Sequence, residues 1–125
     1  MKIASLIARI LLGIIFLVFG LNGFLHFIPL QLPGGVAGQY MVALAATPYL
    51  AVVYLLQLIP AILLLANRFV PLALVLVAPV IVNIFLFHAF MAPAGLGLAA
   101  ILIVLWVLTA LSFRPVFYGL LQQRA

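Results

Sequence analysis

No aspartate and no glutamate occur in this 125-residue chain. A carboxylate general base, a carboxylate proton relay and hard-cation coordination by side-chain carboxylates are therefore excluded. Cysteine is absent as well. That removes disulfides, a thiol nucleophile, thiolate metal sites and iron–sulfur clusters, and leaves the redox compartment unmarked. Charge of any kind is scarce: five Lys and Arg, 4% of the chain, against a hydrophobic share of 71%. A soluble domain keeps charge on its solvent-facing positions, so most of this surface has lipid as its solvent. The pI near 10.5 does not point to nucleic acid. The five basic residues are spread along the chain, and basic residues flanking apolar spans ordinarily set topology.

What is present is a series of long apolar runs. The clearest is residues 69–90, FVPLALVLVAPVIVNIFLFHAF, interrupted only by Pro71, Pro79, Asn83 and His88. A hydrocarbon core of ~30 Å needs about 20 apolar residues in a helix. Four such helices fit the chain, over about 4–28, 49–66, 69–90 and 96–113. The expected fold is an all-α integral membrane protein, one domain over 1–125. It is a four-transmembrane-helix bundle with short interfacial segments, and its primary partner is the lipid bilayer.

The first run begins with Lys2 and Arg9, as a signal peptide would, but no small-x-small cleavage site follows it. It is read as an uncleaved first span, with Arg9 snorkelling to the inner interface. Gly13, Phe16, Gly20, Gly23 and Phe27 recur on one side, where small residues let another helix come close. Asn22 and His26, four apart, share a different face. Residues 29–47 carry Pro29, Pro33, Gly34, Gly35 and Gly38 and no charge. Two forms are open: a short interfacial helix over 36–46 anchored by Tyr40, or a folded loop capping the bundle. Either way the segment is expected to be ordered against the bundle. Pro60 and Pro79 each leave a helix carbonyl, that of Leu56 and of Val75, without its donor, so kinks are expected. The tail over 116–121 is expected on the inner leaflet, with Arg124 at anionic head groups.

Lys2, Arg9, Arg68, Arg114 and Arg124 all fall on one side of the four-span layout. The positive-inside rule then places both termini in the cytoplasm. A weak internal echo links Asn22-Gly-Phe-Leu-His26-Phe27 to Asn83-Ile-Phe-Leu-Phe-His88-Ala-Phe90. Each ends an outward helix ahead of a proline-containing loop, as in a duplicated hairpin.

Polar residues inside spans mark candidate sites. His26 and His88 lie near the outer helix ends. They suit a cofactor or quinone head group, or equally two interfacial histidines bonded to loop carbonyls or water. Two histidines with no carboxylate or thiolate make a poor metal site. Asn22, Gln57 and Asn83 fit a polar pocket or interhelical glue worth ~0.6–2 kcal/mol per pair. Asn83, four residues after Pro79, is also placed to repair that kink. Asn22, His26, Gln57 and Asn83 are expected to converge in the outer half of the bundle interior. His88 points ~140° from Asn83 and is expected outside the cluster. Phe16, Phe19, Phe24, Phe27, Phe85 and Phe87 line a lipophilic channel on one reading and pack or face lipid on the other.

Residues 8–30, ARILLGIIFLVFGLNGFLHFIPL, and 67–96, NRFVPLALVLVAPVIVNIFLFHAFMAPAGL, resemble the DoxX-like family of small bacterial membrane proteins. The family is named after a subunit of a thiosulfate–quinone redox system. Matching positions are Arg9, Gly20, Asn22, Gly23, His26, Pro79, Asn83 and His88. Relatives usually carry a glutamate where this chain has Gln57, and another in the fourth helix, where this chain reads IVLWVLTAL. The resemblance implies four spans in a bacterial inner membrane and a redox association. The expected function is a non-catalytic subunit working with other membrane subunits in an electron-transfer assembly. Two alternatives are a binder or carrier of a small hydrophobic molecule such as a quinone, and a purely structural membrane protein.

Overall fold

The structure is a computed structural model that describes residues 2–28 and 32–123. Its helices are α1 (Lys2–Leu25), α2 (Gly35–Ala45), α3 (Tyr49–Ala66), α4 (Val70–Phe90), α5 (Leu96–Ala110) and α6 (Arg114–Leu120). Short 3-10 turns, Pro93–Gly95 and Leu111–Phe113, flank α5. Four helical stretches are long and apolar enough to cross a membrane: Lys2–Leu25, Tyr49–Ala66, Val70–Phe90 and Pro93–Leu120. The chain is a multi-pass, four-helix membrane bundle.

The four spans pack as a square. α1 and α4 each touch both α3 and α5, and face each other across the diagonal. Leu12 and Phe16 of α1 meet Leu64, Leu74, Val77 and Leu102 in the centre, all buried. The outward faces are apolar too, with Ile14, Ile62, Val82 and Val104 exposed. A helix that is hydrophobic all round belongs in lipid. Lys2, Arg9, Asn67 and Ser112 gather at one end of the square, here called the basic end. The other end carries α2 and the Pro93–Gly95 turn.

The closest seam runs between α1 and α3. A Cβ on Gly13 would lie 2.8 Å from Leu65 Cγ, and one on Gly20 2.8 Å from Leu58 Cγ. One on Gly23 would lie 2.3 Å from the ring of Tyr54. The glycine stripe read from the sequence thus finds its partner in α3, with Phe16 on the same side and buried. Phe27 is exposed, because α1 stops at Leu25 rather than near residue 28. His26 takes the left-handed conformation at φ 53°. Its N–H donates to Asn22 O at 2.8 Å, and the N–H of Ile28 donates to Asn22 Oδ1 at 2.7 Å. Asn22 therefore closes its own helix.

Of the two forms left open for residues 36–46, the helix is found: it runs Gly35–Ala45 and lies against the bundle as α2. Ala37 and Gly38 are buried, and Tyr40 reaches α4. A Cβ on Gly38 would meet Pro33 O at 2.1 Å, so only glycine permits this entry into α2. Pro29, Leu30 and Gln31 lie outside the described residues.

The fourth span differs from expectation at its lower end. The α-helix gives way at Ala110, and Phe113, at φ −123° and ψ 30°, breaks the helical path. The Phe117 ring then stacks edge-on against Trp106 at 5.6 Å. In a straight helix eleven residues would separate them by ~16 Å. α6 therefore turns back onto Trp106 instead of running on from α5. The expected place of Arg124 at head groups lies outside the described residues.

Side-chain donors fasten the helices through backbone carbonyls. Ser5 Oγ donates to Leu108 O at 2.7 Å, joining α1 to α5, and Arg9 Nη1 donates to Leu64 O, joining α1 to α3. Trp106 Nε1 donates to Leu74 O at 2.9 Å, joining α5 to α4. That carbonyl is next to Val75, whose own helix donor is missing at Pro79.

Gly20→Leu is expected to lower stability by about 1–3 kcal/mol through overpacking the α1–α3 seam. Gly97→Ala, which meets nothing within 4 Å, is expected to stay at or above the parent. Thermal unfolding of both variants in detergent checks the pair.

Candidate functional site

A cavity of about 720 Å³ opens at the end of the bundle opposite the basic end. This volume is in the range that holds small ligands. Its floor and walls come from the end of α1, the upper part of α3, α2, and the stretch from α4 to α5. The sequence explains why a space remains there. α1 ends early at the Asn22 stop, Gly23 admits the Tyr54 ring, and Gly95 admits the His88 ring, whose Nδ1 lies 2.1 Å from where a Cβ would stand.

Four polar side chains line this mostly apolar space: Asn22, His26, Tyr54 and His88. Asn22 is 5% exposed. Its Oδ1 is committed to the Ile28 N–H, which fixes the orientation of the carboxamide and turns its Nδ2 donors away from that bond. His26 is exposed. His88 is half-buried, and its Nδ1 sits 3.1 Å from Ala92 O. A carbonyl only accepts, so Nδ1 carries the hydrogen and Nε2 is left as the ring's acceptor when neutral. Phe87 stacks edge-on against His88 at 5.1 Å, and Phe24 against Tyr54 at 5.9 Å, which stiffen both rings.

The five residues expected from the sequence thus divide. Asn22, His26 and His88 share the cavity. Asn83 does not join them: it is exposed on α4, and its Nδ2 donates to Tyr40 Oη at 3.1 Å. Gln57 is 7% exposed and packs against α1, its Cβ 3.4 Å from where a Gly20 Cβ would lie. It is not among the cavity-lining residues. The expected convergence of Asn22, His26, Gln57 and Asn83 is therefore corrected, and His88, expected outside, belongs inside. The cost of an outward Asn83 is offset by the Tyr40 hydroxyl, delivered by α2. Nor does Asn83 answer the carbonyl that Pro79 frees, because that Val75 carbonyl is eight residues before it, ~12 Å along the helix. The echo between α1 and α4 stops at the backbone: Asn22 is buried and bonded to its own chain, while Asn83 is exposed and bonded to α2.

Tyr54 is the site residue that the sequence argument passed over. It lies three residues before Gln57, on the same helix face, and opposite Gly23. The pairing of an aromatic with the last glycine of the stripe was the available signal. Of the phenylalanines, Phe16 is core, Phe87 lines the cavity, and Phe24, Phe27 and Phe85 are exposed. Among the described residues no group of three or more metal-ligating side chains forms.

Asn83 and Tyr40 are expected to couple weakly. A double-mutant cycle of Asn83→Leu and Tyr40→Phe should give about 0.6 kcal/mol, and below about 2 kcal/mol. Unfolding titrations of the four proteins measure it.

Comparison with known protein families, with curated proteins and with solved structures finds no match.

Proposed function

We propose that this protein binds a small lipophilic molecule with a polar head, of the quinone class, in the cavity at the end opposite the basic residues. The observation that carries the proposal is the junction of Asn22, His26, Tyr54 and His88 in one apolar space of about 720 Å³. A quinone carbonyl needs hydrogen-bond donors, which Asn22 Nδ2, the Tyr54 hydroxyl and the His26 ring supply. A quinol hydroxyl needs an acceptor, which His88 Nε2 supplies. The apolar walls suit the ring and the start of its tail. The likeness of residues 8–30 and 67–96 to DoxX-like proteins supports a redox setting, and with it a bacterial inner membrane. Binding and release, not turnover, is the role assigned to the chain.

A second reading is a subunit of a larger membrane assembly, and Asn83 favours it. Its carboxamide sits on an exposed face of a span, where the Tyr40 hydroxyl answers one Nδ2 hydrogen and lipid offers nothing for the remaining donor and the oxygen. Isolation in mild detergent separates the two readings: co-purification of a defined membrane partner, lost in Asn83→Leu, supports the subunit.

For the binding proposal, the purified protein titrated with a short-chain benzoquinone should saturate. Tyr54→Phe keeps the ring on Gly23 and loses one hydrogen bond, weakening binding by roughly threefold to tenfold. Ala45→Trp, which projects an indole from the cavity wall, should weaken it further. Equal binding by parent and Ala45→Trp would overturn the assignment.

The basic end is assigned to the cytoplasm by the positive-inside rule. Cysteines replacing Gly35 and Pro93 should label from outside intact cells, and one replacing Arg68 should not. Labelling at Arg68 would reverse the orientation.

A further inference from the structure

At the basic end lies a second, smaller pocket of about 200 Å³, between α1, the α3–α4 turn and the end of α5. Lys2, Ser5 and Arg9 reach it from one face of α1, at spacings of three and four residues. Asn67, Thr109 and Ser112 complete its polar rim.

The hydrogen bonds of this rim are partly spoken for. Ser5 donates to Leu108 O, and Thr109 Oγ1 donates to Leu105 O at 2.8 Å. The Ser5 hydroxyl is thus committed to α5 and the Thr109 hydroxyl to its own helix. Arg9 gives Nη1 to Leu64 O, in the last turn of α3, where the helix dipole favours a cation. A guanidinium has five N–H donors, so one carbonyl leaves most of them to be satisfied. Lys2 adds three more, and Asn67 and Ser112 further neutral donors. Ordinarily an aspartate or glutamate would answer two cations lining one pocket. This sequence has neither, so no side chain of the protein can neutralise them.

We propose that this pocket is a binding site for a phosphate monoanion or diester, with Lys2 and Arg9 as its charged ligands and Asn67 and Ser112 as its neutral ones. The chemistry is shared by two sources, an anionic phospholipid head group and a free phosphate. The position of Arg9, about 10 Å along α1 from Lys2, lets the site take a phosphate held at the membrane surface. Basic pockets between spans recognise lipid head groups in this manner.

The test uses the full chain, delipidated in neutral detergent. Dioleoyl phosphatidylglycerol, dioleoyl phosphatidylcholine and inorganic phosphate are titrated separately, and binding is read by native mass spectrometry and by the shift in unfolding temperature. Saturable binding of phosphatidylglycerol over phosphatidylcholine is expected, weakened by roughly tenfold or more in Lys2→Gln/Arg9→Gln. Arg68→Gln/Arg114→Gln, equal in charge change but outside the pocket lining, should lose far less. If inorganic phosphate binds and stabilises with the same variant pattern, the site holds and its source is the soluble anion. Should Arg9→Gln fail to fold for want of its bond to Leu64, Lys2→Gln/Ser112→Leu removes two pocket donors and none of the interhelical bonds. Absence of saturable binding by either phosphate probe, or equal losses in the pocket and outside pairs, would overturn the proposal.

Discussion

α1 can touch α3 only because no side chain stands between them at Gly13, Gly20 and Gly23. In lipid there is no hydrophobic force to drive two apolar helices together, so contact must come from close packing. The seam fixes the height at which α3 meets α1, and with it the level of Tyr54 and Gln57. It also brings Leu64 O within reach of Arg9. The cavity opens where the seam ends, at the point where Gly23 holds a ring rather than an aliphatic chain. Larger residues in the stripe would move the floor of the site as well as weaken the bundle.

A chain without carboxylates must satisfy its donors in another way. Here the answer is the main chain: Leu64, Leu74, Ala92 and Leu108 carbonyls accept from Arg9, Trp106, His88 and Ser5. Each carbonyl lies in or near a helix end, beside a proline, or in a turn, or takes a second bond on its free lone pair. Among the described residues no fully buried side-chain nitrogen or oxygen lacks a partner. Gln57, buried against Gly20 of α1, leaves that seam neutral. A buried carboxylate there would need a cation, and Lys2, Arg9, Arg68 and Arg114 lie toward the basic end.

The spans were legible because their lengths and apolarity allow no other solvent. The seam was legible because glycine recurs at helical spacing, although its partner helix was not. The site was only half legible, and Asn83 shows why. The relative angle of Asn83 and His88 was right, for they do point apart. The origin was wrong: Asn83 was set inside on the cost of exposing an amide to lipid, which rotates His88 outward. What reversed this is Tyr40 on α2, a helix whose form the sequence left open and whose hydroxyl reaches Asn83 across 43 residues of chain. Hydrogen bonds at that separation leave no periodic trace. The fold-back of α6 was hidden for a similar reason, since Phe117 finds Trp106 only after Phe113 leaves the helical region.

Trp106 is the single tryptophan of the chain. Its indole is bonded to Leu74 O beside the Pro79 gap, and its face is covered by Phe117 of α6. It lines the lipid-side groove with Pro79 and Leu120 and takes no part in the cavity of Asn22 and His88. The protein thus carries an intrinsic fluorophore in its last span, under the ring of Phe117 from α6. Its emission colour reports on the packing of Phe117 against it, without any label, and independently of direct contact with a molecule in the cavity.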